Sequence, residues 1–182
     1  MKYVAFLRAI NVGGHVVKME MLRAYFEALG LSKVETFIAS GNVIFDSRAK
    51  LESLQARIEN HLHASLGYEV ATFIRTLVEV HAVSRYRPFD ANAMKSAGAL
   101  CVGFLEKPLT SEQCEALVRM KTGIDDFHVH GREVYWLCLN KQSESTFSNA
   151  KFERVLKVRV TFRGVNTVTK LAAKFSPTIV SA

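Results

Sequence analysis

The sequence predicts an α+β fold of two sub-domains, each a ferredoxin-like βαββαβ unit or a variant of it, with one extra helix at the C-terminus. Three observations carry this reading. Short strand-like runs alternate with amphipathic stretches, turn signals at Ser40-Gly41 and Gly131 each separate two adjacent strand-like runs, and Arg87-Pro88-Phe89 interrupts the pattern midway as a linker would. The first sub-domain is placed over residues 1–90 and the second over 91–182.

Each element follows from its local pattern. Lys2 to Leu7 splits into two apolar sets, Val4/Phe6 and Tyr3/Ala5/Leu7, so this strand is buried on both faces. Met21/Leu22, Tyr25/Phe26 and Leu29 recur at helical spacing, and Gly30 supplies a left-handed end. "VETFIA" and "NVIF" are strands flanking Ser40-Gly41. A second helix carries Leu51, Leu54, Ile58, Leu62 and Leu66 on one face and stops at Gly67, before the strand "EVATFIR". Thr76 and Glu79 form a capping box that opens a further helix.

The second half repeats the order. Strand "ALCVGFL" precedes a helix capped by Thr110 and Gln113, followed by strands "DFHVH" and "EVYWLCL", a helix near Asn149 to Leu156, and strand "KVRVTFR". A last helix near Thr167 to Lys174 closes the chain, with Asn166 placed to cap it.

Composition narrows the function classes. At 182 residues and 49% hydrophobic, the chain can bury a substantial core, and no apolar run is long enough to span a membrane. Met1-Lys2-Tyr3-Val4 leads into a strand rather than a signal peptide, which predicts a cytoplasmic protein. Cys101, Cys114 and Cys138 lack metal-binding or redox spacing and read as buried thiols. The net charge of +7 is concentrated near the C-terminus: between Lys141 and Lys174, eight basic residues stand against two acidic ones. Such a basic region suits an anionic partner, or simply a well-solvated face.

Topology gathers one polar cluster. With strand order 4-1-3-2, the first and third strands are antiparallel neighbours, so the loop after Arg8 lies beside the Ser40-Gly41-Asn42 hairpin. Arg8, Asn11, Gly13, Gly14, Ser40, Gly41 and Asn42 then share one end of the first sheet, near the start of a helix. Glycines expose backbone N–H groups, a helix start adds positive potential, and arginine offers a bidentate fork, which together suit an anion. The same loop residues are ordinary turn formers. Gly13-Gly14 fits neither dinucleotide nor P-loop spacing.

A second cluster repeats Arg-x-x-Asn as Arg163 and Asn166, with Thr167 and Lys170 in the following turn. Lys157, Arg159, Thr161 and Arg163 alternate with apolar residues, giving a strand with one basic face. Catalytic groups are scarce. His15 is the nearest general base to the first cluster, and His128 and His130 share a strand face without a third metal ligand. No metal site and no cofactor follow from these residues.

"AFLRAINVGG", "FIASGNVIF" and "NTVTKLA" resemble, in order and over nearly the whole chain, a bacterial family catalogued as domain of unknown function 1697. The resemblance implies small cytosolic α+β proteins of two sub-domains, with no reaction attached. Its shared positions fall on both clusters and on Pro88 and Phe89, and it commonly has asparagine where this chain has Gly164.

Three functions are consistent with these features. The first is binding of a small anionic ligand, a nucleotide or phosphorylated metabolite, between the sub-domains, with Arg8, Arg163 and Lys170 as counter-charges. The second is nucleic-acid binding through Lys157, Arg159, Arg163 and Lys170. The third is a structural or protein-interaction module. Catalysis and oligomeric state are not legible.

Overall fold

The computed structural model describes residues 1–11, 13–38 and 41–175, and the backbone alone of Glu52. The first βαββαβ unit comprises β1 (Lys2–Leu7), α1 (Met19–Ala28), β2 (Ser32–Thr36), β3 (Asn42–Asp46), α2 (Leu51–Leu66) and β4 (Thr72–Thr76). Helices α3 (Leu77–Arg85) and α4 (Ala91–Ser96) follow. The second set is β5 (Ala99–Phe104), α5 (Ser111–Val118), β6 (Asp125–His130), β7 (Glu133–Cys138), a 3-10 turn at Gln142–Glu144, α6 (Asn149–Leu156) and β8 (Thr161–Gly164), then α7 (Val165–Lys174). The chain is therefore a mixed α+β protein with two four-stranded sheets, ordered β2-β3-β1-β4 and β6-β7-β5-β8. Every pairing is antiparallel, and the two orders are the same.

By Cα proximity the chain divides into two compact units, the first built from Met1–Val83 with the segment beginning at Leu171, the second from Ser84–Lys170. In the first, Tyr3, Ala5 and Leu7 of β1 and Val43 and Phe45 of β3 pack with Leu22 and Phe26 of α1 and the Leu54/Ile58/Leu62 stripe of α2. The other face of that sheet is buried as well, through Val4, Phe6, Ile44, Phe73 and Arg75. Two-sided burial explains why β1 has no polar side before Arg8.

In the second unit, Cys101, Phe127, Val134 and Trp136 form a core with Leu117 of α5 and Phe152 and Leu156 of α6. Gly103 is required in β5 because a β-carbon there would stand 2.7 Å from the Phe162 ring. Trp136 Nε1 donates to buried Asp125 at 2.8 Å, and Ser145 Oγ and Thr122 Oγ1 donate to the same carboxylate at 2.8 and 2.7 Å. Burial pushes the Asp125 carboxyl up, but these donors outweigh it and hold it below the ordinary carboxylate value.

Local chemistry sets several boundaries. Thr110 and Gln113 form a reciprocal capping box, and so do Thr76 and Glu79. Gly67 closes α2 at φ 80°. Three boundaries differ from the sequence reading. The strand expected over "VETFIA" stops at Thr36, because the Phe37 N–H turns to the Asn42 carbonyl at 2.9 Å and Ile38 adopts φ 55°. The strand expected over "KVRVTFR" starts only at Thr161, since Lys157 at φ 57° is the left-handed cap of α6. Helix α7 starts at Val165, so Asn166 lies inside its first turn rather than capping it. Helix α4, which the sequence reading did not anticipate, follows the Arg87-Pro88-Phe89 segment and is nucleated by Asp90, whose Oδ1 accepts the Asn92 and Ala93 N–H groups at 2.9 Å.

Candidate functional site

The chain is pinned on both sides as β1 ends. The Leu7 N–H donates to the Gly41 carbonyl and the Arg8 N–H to the Ala71 carbonyl, both at 2.8 Å, so half-buried Arg8 leaves the sheet at a fixed position. Ala9 then turns the chain at φ 59°. Buried Ile10 is held by the Tyr68 hydroxyl, which donates to its carbonyl at 2.9 Å, and Asn11 Oδ1 accepts the N–H of buried Val17 at 2.7 Å. The loop base is thereby fixed while Gly13 and Gly14 stay exposed. Their φ values of 64° and 85° are left-handed, and nothing lies within 4 Å of where a β-carbon would stand. Backbone geometry, not crowding, selects glycine there.

Two neighbours complete this end of the unit. His15 stacks on Tyr68 at 4.0 Å between ring centroids. Helix α1 begins after Lys18, which makes no side-chain cap, so no side chain of the N-cap residue occupies its first-turn N–H groups. On the adjoining hairpin, Asn42 is buried and its Nδ2 donates to the Phe37 carbonyl at 2.8 Å. The structure thus brings Arg8, Asn11, Gly13, Gly14, Gly41 and Asn42 to one end of the sheet. Asn11 and Asn42 brace backbone there. Ser40 lies outside the described residues.

The second cluster has a different character. Arg163 is 9% exposed, and its Nη1 donates to Thr161 Oγ1 at 2.8 Å and to the Phe162 carbonyl at 2.9 Å. Burial lowers its pKa to about 10, which leaves the guanidinium protonated at neutral pH. Asn166 and Lys170 are exposed on one side of α7, with Thr167 half-buried. Arg159 lies before β8 and pairs with Glu106 at 3.6 Å.

The histidines are engaged by aromatic rings. Tyr86 hydrogen-bonds His128 Nε2 at 2.8 Å and stacks on His130 at 4.1 Å. Among the described residues, no group of three histidine, cysteine or acidic side chains is arranged to hold a metal ion. Nor is any described helix long and apolar enough to cross a membrane.

Sequence reasoning overlooked Arg75, 1% exposed on β4, whose Nη1 donates to the Ile74 carbonyl at 3.0 Å. The signal that singled out Arg8, a charge closing an apolar run, was equally present in "ATFIR". Glu133, 9% exposed at the start of β7, was hidden by its place beside the Gly131 turn, where an exposed charge is ordinary.

The model of a family described as protein of unknown function, DUF1697, matches residues 1–135. The chain belongs to this family. Among solved structures, this DUF1697 protein is similar to a conserved bacterial protein from Streptococcus pneumoniae, at 25% identity and a TM-score of 0.73, with 94% of this chain and 97% of that one covered. No curated protein matches it. The family resemblance is thus established, with "AFLRAINVGG" and "FIASGNVIF" inside the matched residues and "NTVTKLA" beyond them, and so is the α+β fold it implied.

Proposed function

We propose that this DUF1697 protein binds a small anion, a phosphate or carboxylate group of a metabolite, at the Arg8–Gly14 loop of its first unit. The observation that carries the reading is the pair of exposed left-handed glycines on a braced loop, between half-buried Arg8 and the start of α1. Consecutive N–H groups in such a turn form an anion-binding concavity, and the helix start adds favourable potential. Arginine is the side chain suited to bidentate recognition of either anion. Asn11 and Tyr68 support the reading by fixing the loop base in advance, which lowers the ordering cost of binding.

Nucleic-acid binding through the C-terminal basic region has less support. Arg163 is turned into its own strand and Arg159 is paired with Glu106, so two of its four expected phosphate contacts are already engaged.

Thermal unfolding in the presence of inorganic phosphate, and of a panel of sugar phosphates and nucleotides, tests the proposal. Ligands that bind the folded protein raise Tm by an amount that grows with the logarithm of their concentration above Kd. Asn11→Asp retains the oxygen that accepts the Val17 N–H but adds a repelling charge. It should remove the shift given by inorganic phosphate while leaving the ligand-free Tm within a few degrees. Equal shifts with inorganic phosphate in Asn11→Asp and in the parent protein would refute the site.

A further inference from the structure

We propose that a second groove, at the opposite end of the first sheet, binds an organic di- or triphosphate. Strands β1 and β2 begin at this end and β3 and β4 finish there, leaving a groove of about 1140 Å³. Its position is independent of the anion loop. Lys2 lines the groove while Arg8 stands six residues further along the chain, about 20 Å away at strand rise.

The charge of the groove walls is one-sided. Among the described residues, Lys2, Lys33, Arg48 and Arg57 line it together with a single carboxylate, Asp46. Lys33 takes that carboxylate at 3.3 Å. Its backbone is at φ 50°, an uncommon conformation for lysine, within the irregular register between Ser32 and Glu35. Among the described residues, no carboxylate pairs with Lys2, Arg48 or Arg57.

The cations are also partly pre-positioned. Arg57 Nη2 donates to the Leu29 carbonyl at 3.0 Å, which ties this α2 side chain to the end of α1 and leaves further N–H donors on the guanidinium. Lys2 Nζ lies over the Phe175 ring at 5.8 Å from its centroid.

Size and lining select the class of occupant. Small-molecule sites fill roughly 300–1,000 Å³, a range that this groove slightly exceeds. Three cationic side chains from separate elements exceed what a single monoanion can engage, whereas a chain of two or three phosphates spans them. Leu29, Leu31 and Leu77 give an apolar wall for the organic body of the ligand. Among the described residues, no aromatic side chain lines the groove, so a single-stranded nucleic acid would find no stacking platform there.

Calorimetric titration of the full chain with inorganic tripolyphosphate, at low and at physiological salt, tests this site. Arg48→Glu and Arg57→Glu should each weaken binding at least tenfold, and Asn11→Asp should leave it within twofold. Exposed Arg48 also allows the milder Arg48→Gln, which should weaken binding several-fold if Arg57→Glu does not fold. Three results would overturn the proposal: unchanged affinity in the arginine variants, loss of binding in Asn11→Asp, or tighter binding of an oligouridylate than of tripolyphosphate. Because Asn11→Asp acts only at the anion loop, failure of one site is distinguishable from failure of the other.

Discussion

The Gly41 carbonyl accepts the Leu7 N–H at 2.8 Å, and Gly41 lies so close to this neighbour that a β-carbon would stand 3.1 Å from Leu7 Cβ and 2.8 Å from Ile10 Cγ2. The hairpin after β2 and the loop after β1 therefore interlock through one residue that tolerates no side chain. Gly41 is also at φ 75°, so alanine there meets backbone strain and a steric clash together. Gly41→Ala should cost about 2–4 kcal/mol in a denaturant titration. Gly13→Ala and Gly14→Ala, with open space around them, should cost only about 1 kcal/mol each. Similar losses at all three positions would contradict this division of roles.

Asp125 is the polar anchor of the second core, with donors from Trp136, Ser145 and Thr122. Asp125→Ala leaves the Trp136 N–H without its acceptor and should destabilise by about 2–4 kcal/mol. Because its folded pKa lies below the ordinary value, the carboxylate contributes stability above its unfolded pKa. That contribution is lost as pH falls through the folded pKa. Between about pH 5 and pH 2, the parent protein should therefore lose more stability than Asp125→Asn, as followed by urea midpoints.

His128 titrates with the opposite consequence for charge. Burial, assisted by His130, lowers its pKa, so the folded protein favours neutral imidazole facing Tyr86. The unfolded chain takes up a proton near pH 6.5, about the ordinary histidine value, before the folded one does. Stability should fall as pH drops from about 7.5 to 5.5, and less so in His128→Gln. Melting temperatures of the two proteins across that window provide the check. Parallel curves would show that His128 does not carry the dependence.

The three thiols should differ in reactivity. Cys101 and Cys138 are buried, whereas Cys114 is partly exposed. Burial also pushes the Cys101 thiol up to about 11, against the Gln142 amide that contacts its sulfur at 2.9 Å, so little thiolate exists at neutral pH. A disulfide reagent under native conditions should modify Cys114 first, with Cys101 and Cys138 reacting only on unfolding, as read by mass spectrometry.

Elements governed by nearest-neighbour chemistry were legible in the sequence. The capping pairs Thr76/Glu79 and Thr110/Gln113, the left-handed Gly67 and the limits of α6 depend on a few adjacent residues. Strand ends depend on a partner, and alternation does not report it. "KVRVTFR" alternates across seven residues but pairs with β5 only from Thr161, because Lys157 closes a helix. Proximity of Arg8 to Gly41 followed from strand order, which the βαββαβ pattern implies. Burial of Arg75 did not, since one terminal arginine in a strand reads like another until the sheet is assembled.

The anion loop is tested most directly by phosphate titration of the ¹⁵N-labelled protein, followed through the amide resonances of Gly13 and Gly14. Binding at the loop predicts saturable shifts largest at those two amides and at the first turn of α1, absent in Asn11→Asp. Shifts that never saturate, or that persist unchanged in Asn11→Asp, would contradict it.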